Sequence, residues 1–137
     1  MTTLNFWPIL VSAIVSFVIG ALWYSPILFG REWMELSKIS DDDMRSAKEK
    51  GVTKLYVAQF ILSLVSWSVL AFIISSVEGM SASDGAFIGL IVWIGFVATD
   101  ALSKVMWEKK PFKLALIGSV GMLLNMVVSG AIMGAWR

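Results

Sequence analysis

The sequence predicts an all-α integral membrane protein, a four-helix bundle with a short surface helix between its first two transmembrane helices. Three observations predict it. Apolar runs at residues 6–29, 55–77, 85–107 and 112–136 each reach the roughly 20 residues that a helix needs to cross about 30 Å of hydrocarbon. The first two runs hold no charged residue, and the third is interrupted only by Asp100 and Lys104. A helix of a soluble domain would instead carry charges along one face. Finally, the basic residues gather in two of the three connections. The whole chain, residues 1–137, reads as a single membrane domain.

The first run opens with Trp7-Pro8, and proline is tolerated in a helix's first turn because its missing N–H would be unsatisfied there anyway. Pro26 lies inside the apolar stretch and predicts a kink or an early helix end. Residues 1–5 carry no Lys or Arg and no cleavage pattern follows, so the segment reads as a retained helix rather than a signal peptide.

The connection 30–54 is the one substantial polar stretch. Ser40-Asp41-Asp42-Asp43 predicts the start of a short helix, with Ser40 as N-cap and Asp43 at the capping-box position. Lys48 and Lys50 suit its negative end, and Gly51 is the stop. The second and third runs are joined by residues 78–84, where Ser83 or Asp84 can cap the third helix. The third and fourth are joined by residues 108–111, with Pro111 opening the last helix.

With four crossings, the first and third connections share one side, and both termini share the other. Ten of the 11 basic residues fall on the first side, counting Lys104, and only Arg137 on the second. The positive-inside rule places the basic connections in the cytoplasm and both termini outside, as expected of a multi-pass protein of a cytoplasmic (inner) membrane.

Composition narrows the function classes. Hydrophobic residues make up 58% of the chain and charged residues 15%, and the net charge of +1 offers nucleic acid no electrostatic footprint. There is no Cys and no His, which removes thiolate nucleophiles, the commonest metal ligand and the commonest general base. The expectation is a protein without catalytic residues, metal or cofactor, and not an enzyme.

Close packing and polar contacts decide which helix faces meet in lipid. The candidate packing residues are Ser12, Ser16 and Gly20 on the first helix, Gly85 and Gly89 on the third, and Gly130 and Gly134 on the fourth. Either the bundle interior or self-association could use them. A candidate intramembrane polar site comprises Asp100, Lys104, Asn125, Gln59 and Ser63. Asp100 lies about 6 Å to the inner side of its helix midpoint, where a lone charge costs on the order of 3 kcal/mol. It can pair with Lys104 four residues on, line a polar pathway, or act chemically. Asn125, near the middle of the fourth helix, calls for an interhelical hydrogen bond that Asp100, Gln59 or a serine could supply.

The segment Gly20-Ala21-Leu22-Trp23-Tyr24-Ser25-Pro26, with Trp107-Glu108, Lys110-Pro111-Phe112 and the closing Gly130-Ala131-Ile132-Met133-Gly134, resembles the small bacterial membrane proteins grouped as domain of unknown function 1761. Trp23, Tyr24, Ser25 and Pro26 are the most specific part of the resemblance. It implies a four-span membrane protein and supplies no catalytic residue. Two functions remain open. One is a non-enzymatic oligomeric or accessory component, partnered by lipid and by itself or a larger membrane complex. The other is a small oligomeric transporter or channel built around Asp100 and Asn125.

Overall fold

The computed structural model describes residues 4–78 and 80–136. Gly79 of the middle connection, and Arg137, the one basic residue assigned to the terminal side, lie outside them. The helices are α1 (Phe6–Trp23), α2 (Gly30–Leu36), α3 (Asp41–Lys50), α4 (Thr53–Ser75), α5 (Ala82–Val92), α6 (Thr99–Trp107) and α7 (Phe112–Ala135). A π-helical segment, Trp93–Ala98, joins α5 to α6 without a break, so the two form one span, Ala82–Trp107. Four helices are therefore long and apolar enough to cross a membrane, and the fold is an all-α four-helix membrane bundle.

Several boundaries differ from the sequence reading. The first span stops at Trp23 with Tyr24 as C-cap, short of residue 29, which is the early end that Pro26 predicts. The connection 30–54 holds two helices, not one. The unforeseen α2 has Phe29 as N-cap with no side-chain cap bond, so it lacks the usual start signal. In α3 the capping box forms as expected: Ser40 Oγ accepts from Asp43 N–H at 3.1 Å, and Asp43 accepts from Ser40 N–H at 2.9 Å. The third span begins earlier than expected, and its cap is Ser81, not Ser83 or Asp84. Asp84 instead takes the third helical position and accepts from Ser81 N–H at 3.0 Å.

The hub is α7, which touches α1, α2, α4, α5, the π segment and α6. A third of its most apolar window (33%) is buried, against 11% for the α5–α6 span. The core lies toward the terminal end of the bundle, where Ile9 and Ala13 of α1 and Trp67, Leu70 and Ile74 of α4 close on Met126 and Met133 of α7.

Backbone contact locks α5 to α7 at that same end. A methyl group on Gly85 would overlap the Gly130 carbonyl, one on Gly89 the Met126 carbonyl, and one on Gly134 the Ser81 carbonyl. Without side chains the two backbones approach closely, which is how helices gain dispersion energy in lipid. Inside the chain Gly85 thus faces Gly130 and Gly134, while Gly89 faces the Met126 backbone. Gly20 does not share their role, since a methyl there meets nothing within 4 Å.

Candidate functional site at the basic end of the bundle

Away from this core, at the end holding the basic connections, packing depends on aromatic side chains. The Trp23-Tyr24-Ser25-Pro26 element forms a corner between α1 and α2. Ser25 Oγ–H donates to the Leu22 carbonyl at 2.7 Å, and the Ser25 carbonyl accepts from Leu28 N–H at 3.1 Å and Gly30 N–H at 3.0 Å. Gly30 opens α2 because a methyl there would strike the Tyr24 and Ser25 carbonyls. The corner sends Trp23 back onto α7, where its indole N–H donates to the Ile117 carbonyl at 2.8 Å and its ring lies over Gly121. Phe29 packs on the same indole, with centroids 4.6 Å apart.

A second tryptophan grips α7 from the other side. Trp93, the first residue of the π segment, donates its indole N–H to the Ser119 carbonyl at 2.7 Å. Residues 117 and 119 point about 200° apart around a helix, so the two indoles hold α7 at one depth from nearly opposite faces. Each uses the spare lone pair of a carbonyl already inside the helix ladder. Nothing in the apolar Trp93–Ala98 stretch distinguishes a π turn from an α turn in the sequence.

Beyond the π segment α6 has no buried residue, and a groove of about 390 Å³ opens between it and α7. Val97, Ala101, Leu114 and Gly118 give it apolar walls. Trp33 and Ser37 of the α2 segment, with Lys104 and Lys110, stand at its rim, and Asp100 and Ser119 also line it. Glu32 pairs with Lys113 at 2.7 Å, tying α2 to the first turn of α7, and Trp33 packs edge-on against Tyr24, 5.5 Å between centroids.

Of the predicted polar site, one pair forms. Asp100 meets Lys104 at 3.2 Å, both more than half exposed, as the i,i+4 spacing foretold. The rest is not assembled. Gln59 is exposed on α4, and Ser63 Oγ–H donates to the backbone carbonyl of Gln59 at 3.0 Å. Among the described residues no hydrogen bond joins Gln59, Asp100 and Asn125. Gln59 is exposed on α4, and Asp100 and Asn125 differ in depth. Asp100 lies about 10 Å along its helix from the basic end and Asn125 about 20 Å. Asn125 Oδ1 is instead buried with no hydrogen-bond partner among the described residues, as are Ser12 Oγ and Ser16 Oγ of α1, Ser129 Oγ of α7 and Trp67 Nε1 of α4. Outside the spans, the Ser40 N–H and hydroxyl hold the Asp43 carboxyl below its ordinary value.

Fold and site together define a small all-helical protein with four apolar helices of membrane-spanning length, in which Asp100 is paired with Lys104. The chain belongs to the family described as "Protein of unknown function (DUF1761)", whose model matches residues 7–134. No curated protein and no solved structure matches it.

Proposed function

We propose that this protein is a non-enzymatic component of a bacterial cytoplasmic membrane, with both termini outside, that works by associating with a second copy of itself through the α4 face around Gln59. The observation that carries this reading is Gln59 itself. Its amide is exposed on the bundle surface, about 8 Å from the midpoint of α4, and so at hydrocarbon depth. An amide in that position loses its hydrogen bonds to water and regains them in full when another chain supplies them. Ser63 and Ser66 continue the stripe at helical spacing and permit close approach. Across a two-fold axis two glutamine amides donate and accept mutually, which makes the surface self-complementary.

A transport pathway around Asp100 and Asn125 has less support, because their depths differ by about 10 Å and Asp100 is engaged by Lys104.

The native chain has no cysteine, so Gln59→Cys introduces a single thiol. Oxidation in native membranes should trap a covalent dimer through this position, whereas Phe87→Cys on exposed α5 should not. Gln59→Leu should weaken association measured by energy transfer in vesicles about 5- to 30-fold, the worth of a 1–2 kcal/mol interhelical bond. Monomer throughout, or crosslinking through α5 instead of α4, contradicts the proposal.

A further inference from the structure

The geometry points to the groove between α6 and α7 as a binding site for one anionic phospholipid, its phosphate between Lys104 and Lys110 and an acyl chain against Val97, Ala101 and Leu114. The argument rests on which hydrogen-bonding capacity the groove leaves free. Its one carboxylate, Asp100, is engaged by Lys104 at 3.2 Å. Apart from the second oxygen of that carboxylate, what remains is mostly donors. The Trp33 indole N–H and the Ser37 hydroxyl bond to no other described residue, and Lys104 and Lys110 each have two further N–H groups beyond one carboxylate contact. A rim of this kind calls for a ligand that presents several acceptor oxygens and negative charge, as a phosphodiester does.

Depth and shape select a lipid over a soluble anion. The groove starts at the Lys110 connection and runs about 10 Å down α7 to Gly118 and Ser119, from the boundary into hydrocarbon depth. Its polarity changes along the way, with ammonium groups at the mouth and mostly apolar walls below, Asp100 and Ser119 being the polar exceptions. A volume near 390 Å³ takes a headgroup and the first methylenes of a chain, leaving the rest in the bilayer. The floor is open because Gly118 projects no side chain into it; a methyl there meets only the Tyr24 hydroxyl, at 3.9 Å. The Glu32–Lys113 pair keeps α2, and Trp33 with it, at the rim.

Native mass spectrometry of the full-length protein, released from mixed phosphatidylcholine and phosphatidylglycerol, reads the site directly. One phosphatidylglycerol per chain should be retained in preference to phosphatidylcholine. The Lys104→Gln/Lys110→Gln double variant should lose that preference by about 30-fold, at about 1 kcal/mol per basic residue. Asp100→Asn should instead strengthen it several-fold, by releasing Lys104. Leu114→Trp, which fills the groove and changes no charge, should expel the lipid, and circular dichroism would verify that each variant keeps its helices. Equal retention of both lipids by the native protein overturns the site. So does an equal loss from the Lys48→Gln/Lys50→Gln control on α3, or retention undiminished by Leu114→Trp. Displacement by millimolar inorganic phosphate would show a soluble-anion site and overturn the lipid assignment.

Discussion

The indole of Trp23 lies across the bare Cα of Gly121 and donates its N–H to the Ile117 carbonyl one turn away, at 2.8 Å. One residue at the end of α1 thereby fixes where the first hairpin meets the hub helix. Trp23→Phe keeps a ring but removes the donor and should cost about 1 kcal/mol. Gly121→Val forces the ring outward and should cost about 1–3 kcal/mol. Thermal unfolding in detergent measures both, and the double variant should lose less than the sum, since the two changes break one contact. Strict additivity would mean that the ring and the glycine act independently.

The glycines of α5 and α7 should be far less tolerant than Gly20. Gly85→Ala and Gly130→Ala each drive a methyl into an opposing carbonyl and should destabilise by about 2–3 kcal/mol. Gly20→Ala meets open space and should gain up to about 1 kcal/mol from helix propensity. Equal effects at all three positions would remove the close α5–α7 approach from the account.

The buried serines predict the opposite of the usual polar-to-apolar penalty. Ser129 is 1% exposed and its hydroxyl has no partner among the described residues. Ser129→Ala should therefore raise stability by about 1 kcal/mol, because burying an unpaired hydroxyl costs about 1–3. A loss of stability, read in the same unfolding assay, would show that the hydroxyl is bonded in the membrane.

The four spans were legible because lipid excludes charge so strongly that Asp100 and Lys104 stand out. The start of α3 was legible for a different reason, since Ser40 and Asp43 make contacts within a single turn. What was not legible depends on partners. Gly85-x-x-x-Gly89 announces a close approach but not to what, and only the fold shows Gly130 and Gly134 opposite. Helix α2 has no capping side chain to announce it, and Trp93–Ala98 is as apolar as its neighbours, so no residue marks its wider turn. The expected meeting of Asp100 with Asn125 fails on depth, which counting residues from Trp107 and Phe112 would have revealed.

The cap of α3 should titrate. Asp43 sits below its ordinary value of 3.8 because Ser40 donates to the charged carboxylate from both its N–H and its hydroxyl. For a carboxyl lowered in the folded state, the stabilisation is present above the unfolded value and is lost as pH falls through the folded one. Amide hydrogen exchange, corrected for its intrinsic rate, should show the first turn of α3 protected at neutral pH and released as acidification protonates Asp43, while α7 keeps its protection. Asp43→Asn should abolish the step. Ser40→Ala should weaken the cap by about 1 kcal/mol at neutral pH.

The most direct test is the sidedness of single cysteines placed in a chain that has none. With a membrane-impermeant maleimide applied to intact cells, Ser83→Cys at the start of α5 should label from outside. Ser46→Cys in α3 and Lys109→Cys between α6 and α7 should label only after the membrane is opened. Labelling of Ser46→Cys and Ser83→Cys from the same side would contradict four crossings, and a full reversal would contradict the orientation.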